Sequence, residues 1–344
     1  MLPTTTTELI MEDRILLAHG SGGKLSHDLI EKSFVAALGN PILNKLDDSA
    51  VFELNGRLAF TTDSYTVSPI FFPGGDIGKL AVCGTVNDLA MNGAVPLYLS
   101  LSFIIEEGLL ISELEKIVAS TYQAASEAEV KIVTGDTKVV NQGSADKLFI
   151  NTSGVGIIPR GVDISGANAK PGDKVILSGS LGEHGIAVLS QRQGLQFNVP
   201  IESDCAPLNR MVAEILEIST NLHCLRDPTR GGLATTLNEF AKQSNVGIRI
   251  YEDSLPVNEA VQAACELLGF DPLYMANEGK LVAVVAPTDA DKVLAKMRQN
   301  RYGTEANIIG EIIEEHSRRV IMKTRLGSSR IVDMPVGELL PRIC

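Results

Sequence analysis

The chain has no tryptophan, and aromatic residues make up only 5% of its 344 positions. It has no apolar run approaching the ~20 residues that a membrane helix requires, so no membrane association is expected. It has no basic start leading into an apolar stretch: "MLPTTTTELIMEDRILL" is Thr-rich and then mixed, which supplies no secretion signal. Positive charge is in deficit. The formal net charge of −12 repels a nucleic-acid backbone from the chain as a whole, so no nucleic-acid partner is expected. The five cysteines (Cys83, Cys205, Cys224, Cys265 and Cys344) are odd in number, and no pair is spaced as CxxC. That pattern argues against a disulfide framework and against a zinc site, and it suits a reducing cytoplasm.

Two nucleotide-binding motifs are also missing. Neither half carries G-x-G-x-x-G after its first strand, so a Rossmann dinucleotide site is unsupported. "HGSGGKLS" tempts a P-loop reading, but that motif needs Gly where Ala18 stands and Ser or Thr where Leu25 stands. What remains is a Gly-rich loop with Lys24. Its backbone N–H groups suit phosphate oxygens, and a plain turn before the helix "KLSHDLIEKSFVAAL" explains it equally well.

What is present is enough for two α/β domains. The length exceeds the size at which one core stops growing, and hydrophobic residues make up 44%. "RLAFTTDSYTV" alternates as a strand. "GKLAVCGTVNDLAMNGA" has helical spacing and stops at Gly93 and Pro96. "ISELEKIVASTYQAASEA" is amphipathic, with Ser112 as its expected N-cap. "PRGVDISGANAKPGD" has the composition of a boundary. The expected organisation is a flexible start (1–18), a first domain (19–158), a second domain (170–325) and a mobile tail (326–344) carrying Cys344.

Chemistry concentrates in the turns. Asp47 and Asp48 in "LDDSAVF", Asp63 in "TTDS", Asp88 in "VNDLAMNGA" and Asp136 in "VTGDTKVV" each follow or interrupt an apolar stretch. A carboxylate beside a core is costly unless paired, hydrogen-bonded or bound to a cation. One such Asp is ordinarily a cap or turn residue. Five together suggest Mg²⁺, which prefers carboxylates completed by substrate phosphates. In the second half, "LRDPTRGGLATTLNEFA" sets Asp227, Thr229 and Arg230 before a Gly pair that opens a helix, an anion-attracting arrangement. "ANEGKLVAVV" puts Glu278 at a strand mouth. The first four cysteines sit among apolar residues and read as core, whereas Cys344, on "LPRIC", has nothing nearby to pack into. A prenylation box would place its Cys four residues from the end, so that reading fails.

Taken in order along the whole chain, "HGSGGK", "LDDSAVF", "TTDSYTVSPIFFPGGDIGKLAVCGTVNDLAMNGA", "VTGDTKVV", "LRDPTRGGLATTLNEFA", "NEGKL" and "PRIC" resemble the HypE family of hydrogenase maturation proteins. That family is a branch of the superfamily typified by aminoimidazole ribonucleotide synthetase. The resemblance implies a two-domain α/β (α+β), PurM-like fold whose first sheet completes a barrel-like core across a homodimer. It implies ATP and Mg²⁺ as cofactors. It implies a reaction on the protein's own tail: the carbamoyltransferase HypF loads a carbamoyl group on the cysteine, ATP-dependent dehydration makes a thiocyanate, and the HypC–HypD complex accepts the cyano group for [NiFe] hydrogenase iron.

The same resemblance assigns roles. Cys344 carries the substrate, Glu278 is the base and Lys138 stabilises charge. Asp47, Asp48, Asp88, Asp136 and Asp227 are candidate metal ligands. Lys24, Asp48, Asp63, Asn87, Asp136, Thr137, Asp227 and Arg230 are candidate nucleotide neighbours. A selenophosphate synthetase would carry Cys or selenocysteine beside Lys24, where this chain has Gly23. The purine and thiamine enzymes of the superfamily need no cysteine at the tail. A non-enzymatic adaptor docking its C-terminal peptide would leave the acidic motifs idle.

Overall fold

The computed structural model describes residues 14–195, 197, 199–337 and 342–344. The flexible start expected over 1–18 thus falls largely outside the described residues, as do tail residues Leu339 and Leu340.

The first sheet has strand order β1-β6-β4-β5, from β1 (Arg57–Tyr65), β4 (Val95–Glu106), β5 (Lys131–Val140) and β6 (Leu148–Ile158). Only the β4–β5 pair is parallel. The two-residue strands β2 (Phe71–Phe72) and β3 (Gly75–Asp76) make a small hairpin beside it. One sheet face is covered by the helices Ile77–Met91 and Ile111–Glu127. The first starts where the Asp76 carboxylate accepts from Gly78 N at 2.7 Å and Lys79 N at 3.1 Å. It is buried on nearly every side because it also meets the second domain. The second buries Leu114, Ile117, Val118, Thr121 and Ala124–Ala125, one helical stripe. Ser112 is not its cap. The helix begins one residue earlier, after Leu110, which caps with no side chain.

Strand alternation puts Thr61, Asp63 and Tyr65 on the covered face and Leu58, Phe60, Thr62 and Ser64 on the other. Among the described residues no layer covers that outer face. Phe60 is 70% exposed, and Leu58 and Ile104 are also exposed. An apolar face of this kind marks an interaction surface.

The second domain is a seven-stranded sheet, order β13-β12-β9-β11-β7-β10-β8. Its strands are β7 (Lys174–Leu177), β8 (Leu222–Arg226), β9 (Gly247–Tyr251), β10 (Val282–Val285), β11 (Asn307–Ile313), β12 (Val320–Lys323) and β13 (Ser329–Val332). Its helices are Glu183–Gln193, Asn209–Ile218, Gly232–Ser244, Glu259–Leu268 and Ala290–Gln299. The chain from 326 is therefore not all tail, since β13 pairs with β12 and Val332 is buried in the second core.

Candidate active site

Where the two domains meet, the β1 edge, the long Ile77–Met91 helix and two second-domain loops enclose a cleft with about 40 Å³ of free space. Asp63, Asp88, Asp227, Arg230, Glu278 and Cys344 line it. Asp88 is held by the Thr61 hydroxyl at 2.8 Å. Burial raises its pKa against that bond. Asp227 is pushed up to about 7, first by burial and then by the charges of Asp88 and Asp63.

Glu278 is 2% exposed, and its Oε1 has no hydrogen-bond partner among the described residues. Burial, then Cys205 and Asp227, push its pKa well above the usual carboxylate range. The backbone here is over-determined. The Asp204 carboxylate accepts from Glu278 N and Gly279 N, each at 3.1 Å. Asn277 accepts from Gly182 N at 2.7 Å and donates to the Pro228 and Met275 carbonyls. A Cβ on Gly279 would lie 1.8 Å from the Asp204 carbonyl, so only glycine fits.

The end of the chain is seated in this cleft. Thr66 N donates to Cys344 O at 3.1 Å and Ser68 N to Arg342 O at 3.0 Å, an added strand-like segment. Ile343 is buried in the first-domain core, and Cys344 packs against that core. Burial, then the Glu278 carboxylate, push the Cys344 thiol up to about 12, while the positive charge of Arg230 works against the shift.

A second pocket, about 340 Å³, opens at the β5 edge under the helix that starts at Lys24. Its floor is apolar (Phe34, Leu101, Phe103, Ile132) and its mouth carries the Gly-rich loop with Asp47, Asp136, Thr137 and Lys138. Lys138 donates to Asp136 at 2.7 Å, which lowers the Asp136 pKa.

The structure divides the expected acidic set. Asp88 and Asp227 share the cleft with Asp63, Arg230, Glu278 and Cys344; Asp47 and Asp136 line the β5 pocket; Asp48 lines neither. The five carboxylates therefore do not converge within one chain. Asp136 points from the outer sheet face, whereas Asp88 reaches in from a helix on the covered face. Among the described residues, no three His, Cys, Asp or Glu side chains are grouped to hold a metal ion. Lys24 stands exposed in the first turn after the Gly-rich loop. Asn87 departs from its expected role. It is buried and spends its side chain on the Ala206 and Glu278 carbonyls and on Leu208 N, so it clamps the domains together. Asp204, Thr61 and His184 were not singled out from the sequence. Their partners lie 19 to 159 residues away.

The fold and paired motifs define a class of two-domain α/β proteins with an acidic cleft where the domains meet. The AIR synthase related protein N-terminal domain matches residues 46–158, and the AIR synthase related protein C-terminal domain matches 170–323. The carbamoyl dehydratase HypE of Cupriavidus necator is 54% identical over 337 residues, 97% of this chain and 96% of that one. A crystal structure of hydrogenase maturation protein HypE in complex with ATP superposes with a TM-score of 0.93 at 51% identity, covering 96% of this chain and 99% of that one. A HypE–HypF complex matches with a TM-score of 0.80 at 53% identity, covering 89% and 99%. The chain belongs to the HypE family of carbamoyl dehydratases.

Proposed function

We propose that this chain removes water from a carbamoyl group carried on Cys344, using ATP and leaving a thiocyanate. The observation that carries the reading is the seating of the Cys344 sulfur beside Glu278 and Arg230 in a closed cleft. HypF supplies the carbamoyl group, HypC–HypD takes the cyano group, and the setting is cytoplasmic. Among the described residues no helix is long and apolar enough to cross a membrane.

An amide oxygen leaves badly. Transfer of the γ-phosphoryl group to that oxygen releases ADP and makes phosphate the leaving group. The amide gives up one N–H proton as its oxygen is phosphorylated. Glu278 then takes the second N–H proton, the C–O bond breaks and C≡N forms, so the elements of water depart as the phosphate oxygen and two protons. A raised pKa makes the Glu278 carboxylate a stronger base than an exposed one. Arg230, which lines the cleft with Cys344, offsets charge at the reacting end. With a thiol at about 12, seated Cys344 is a poor nucleophile. Loading on HypF therefore takes place with the tail swung out, and the seat receives the tail once loaded.

Mg²⁺ fits the cleft's chemistry. Asp227 is raised to about 7 by burial and by the charges of Asp88 and Asp63, a shift that a bound cation would offset, and phosphate oxygens would complete a shell the side chains alone do not. Asp88 and Asp227 are its candidate holders here, and bound Mg²⁺ supplies neutralisation of phosphate charge. Asp227→Asn is expected to stabilise the nucleotide-free chain by a few kcal/mol at most, roughly the size of such a pKa shift. It should weaken MgATP binding at least tenfold. Melting curves with and without MgATP check both halves. A destabilised, ATP-binding variant would contradict the assignment.

The β5 pocket, with Thr137, Lys138 and the Gly-rich loop, is the reading's nucleotide seat. Three strand spacings, about 14 Å, separate its edge from β1. A second copy across the open sheet face is the means we infer for joining one chain's pocket to a cleft. Phe60→Lys should then yield monomers by analytical ultracentrifugation, with an unchanged fold, since Phe60 is exposed. An unchanged assembly mass would remove the dimer from that face.

A further inference from the structure

His184 lies in the second-domain helix Glu183–Gln193, fully buried, yet it belongs to neither the acidic motifs nor the Gly-rich loop. Both ring nitrogens are used. Nε2 stands 2.5 Å from the Ile343 carbonyl and Nδ1 stands 2.8 Å from Ser203 Oγ. A carbonyl only accepts, so Nε2 carries the proton. Nδ1 must then accept from the Ser203 hydroxyl, and that oxygen in turn accepts from Cys205 N at 3.1 Å. The Phe72 ring meets the imidazole edge-on at 5.4 Å and 88°, fixing the ring plane from the first domain. The relay runs in one direction: Cys205 N–H to Ser203, Ser203 O–H to His184, His184 N–H to the carbonyl before Cys344.

We propose that His184 is the positioning residue that seats the Cys344 arm, gripping the Ile343 carbonyl from the second domain while Thr66 and Ser68 hold the neighbouring carbonyls from the first. An extended segment presents successive carbonyls to opposite sides. The contacts follow that alternation: Arg342 O and Cys344 O meet the 66–68 backbone, and Ile343 O meets His184. Arg192 adds a bond to Arg342 O at 2.7 Å. The tail thus stitches the two domains together, which aims its sulfur at Glu278. When the tail leaves, the His184 N–H loses the Ile343 carbonyl and must exchange it for water, so docking keeps the net gain of a hydrogen bond. The relay therefore favours the seated arm. Burial lowers the His184 pKa, which keeps the neutral, directional form.

The inference rests on the reading of Cys344 as a travelling arm, and its test needs neither ATP nor HypF. Full-length chain is treated with iodoacetamide, and labelling of each cysteine is followed by peptide mass spectrometry. Cys83, Cys205, Cys224 and Cys265 are buried and report unfolding, whereas Cys344 reports undocking. His184→Leu should raise the Cys344 labelling rate about tenfold or more with the other four still protected. Ser203→Ala, which removes only a hydroxyl, should raise it to a lesser extent. His184→Gln, which keeps an N–H donor, should restore slow labelling. Wild-type labelling in both His184→Leu and Ser203→Ala, or labelling of His184→Gln as fast as His184→Leu, would overturn the proposal. Failure of the dehydration reading would show separately, as a carbamoylated wild-type chain that keeps its water when MgATP is added.

Discussion

Glu278→Gln is expected to load a carbamoyl group normally and then stall, with loss of water slowed about 10²- to 10⁴-fold, the usual range for removing a general base. Loading is spared because it takes place with Cys344 away from the cleft. The same change should raise thermal stability. Glu278 is 2% exposed, its Oε1 has no partner among the described residues, and several carboxylates crowd it. A neutral amide of the same shape relieves that cost. The opposite signs on activity and stability distinguish a base from a structural carboxylate. Single-turnover mass spectrometry and a melting curve on one preparation read both. Normal turnover would take Glu278 out of the base role.

Cys344→Ala is expected to abolish product outright while ATP still binds. No other cysteine can substitute, because Cys83, Cys205, Cys224 and Cys265 are all buried in the cores. ATP affinity should stay within about threefold, since the β5 pocket contains no tail residue. Calorimetric titration with MgATP and the mass of the tail peptide check the two halves. Cyano-group formation by the Cys344→Ala chain would remove the arm from the mechanism.

The sequence was most informative where one element settles the matter. The 111–127 helix follows from its stripe of Leu114, Ile117, Val118 and Ala124–Ala125, and β1 from its two-residue alternation. Its cap was misread because Leu110 supplies only backbone, and side-chain chemistry is all a cap reading has to work with. Strands β12 and β13 are hard to read because "RRVIMK" and "SSRIV" are short and charged; β12 pairs with β9, some 70 residues earlier by number, and β13 pairs on β12. The acidic motifs marked the cleft but could not divide it from the β5 pocket. Asp136 and the inward strand positions differ by one residue, which reverses the face. Asn87 and Asp88 are adjacent in sequence yet about 100° apart on their helix. One turns to the cleft and the other to the second-domain loop. His184 carried no signal, since a lone histidine in an apolar helix reads as core until residue 343 is found against it.

The most direct test is intact-mass spectrometry of the chain incubated with HypF, carbamoyl phosphate and MgATP, followed by mapping of the tail peptide. The account predicts a carbamoyl adduct on Cys344 that loses one water only when ATP is supplied. An unmodified tail with ATP still consumed would contradict it and would indicate a small-molecule substrate for the cleft.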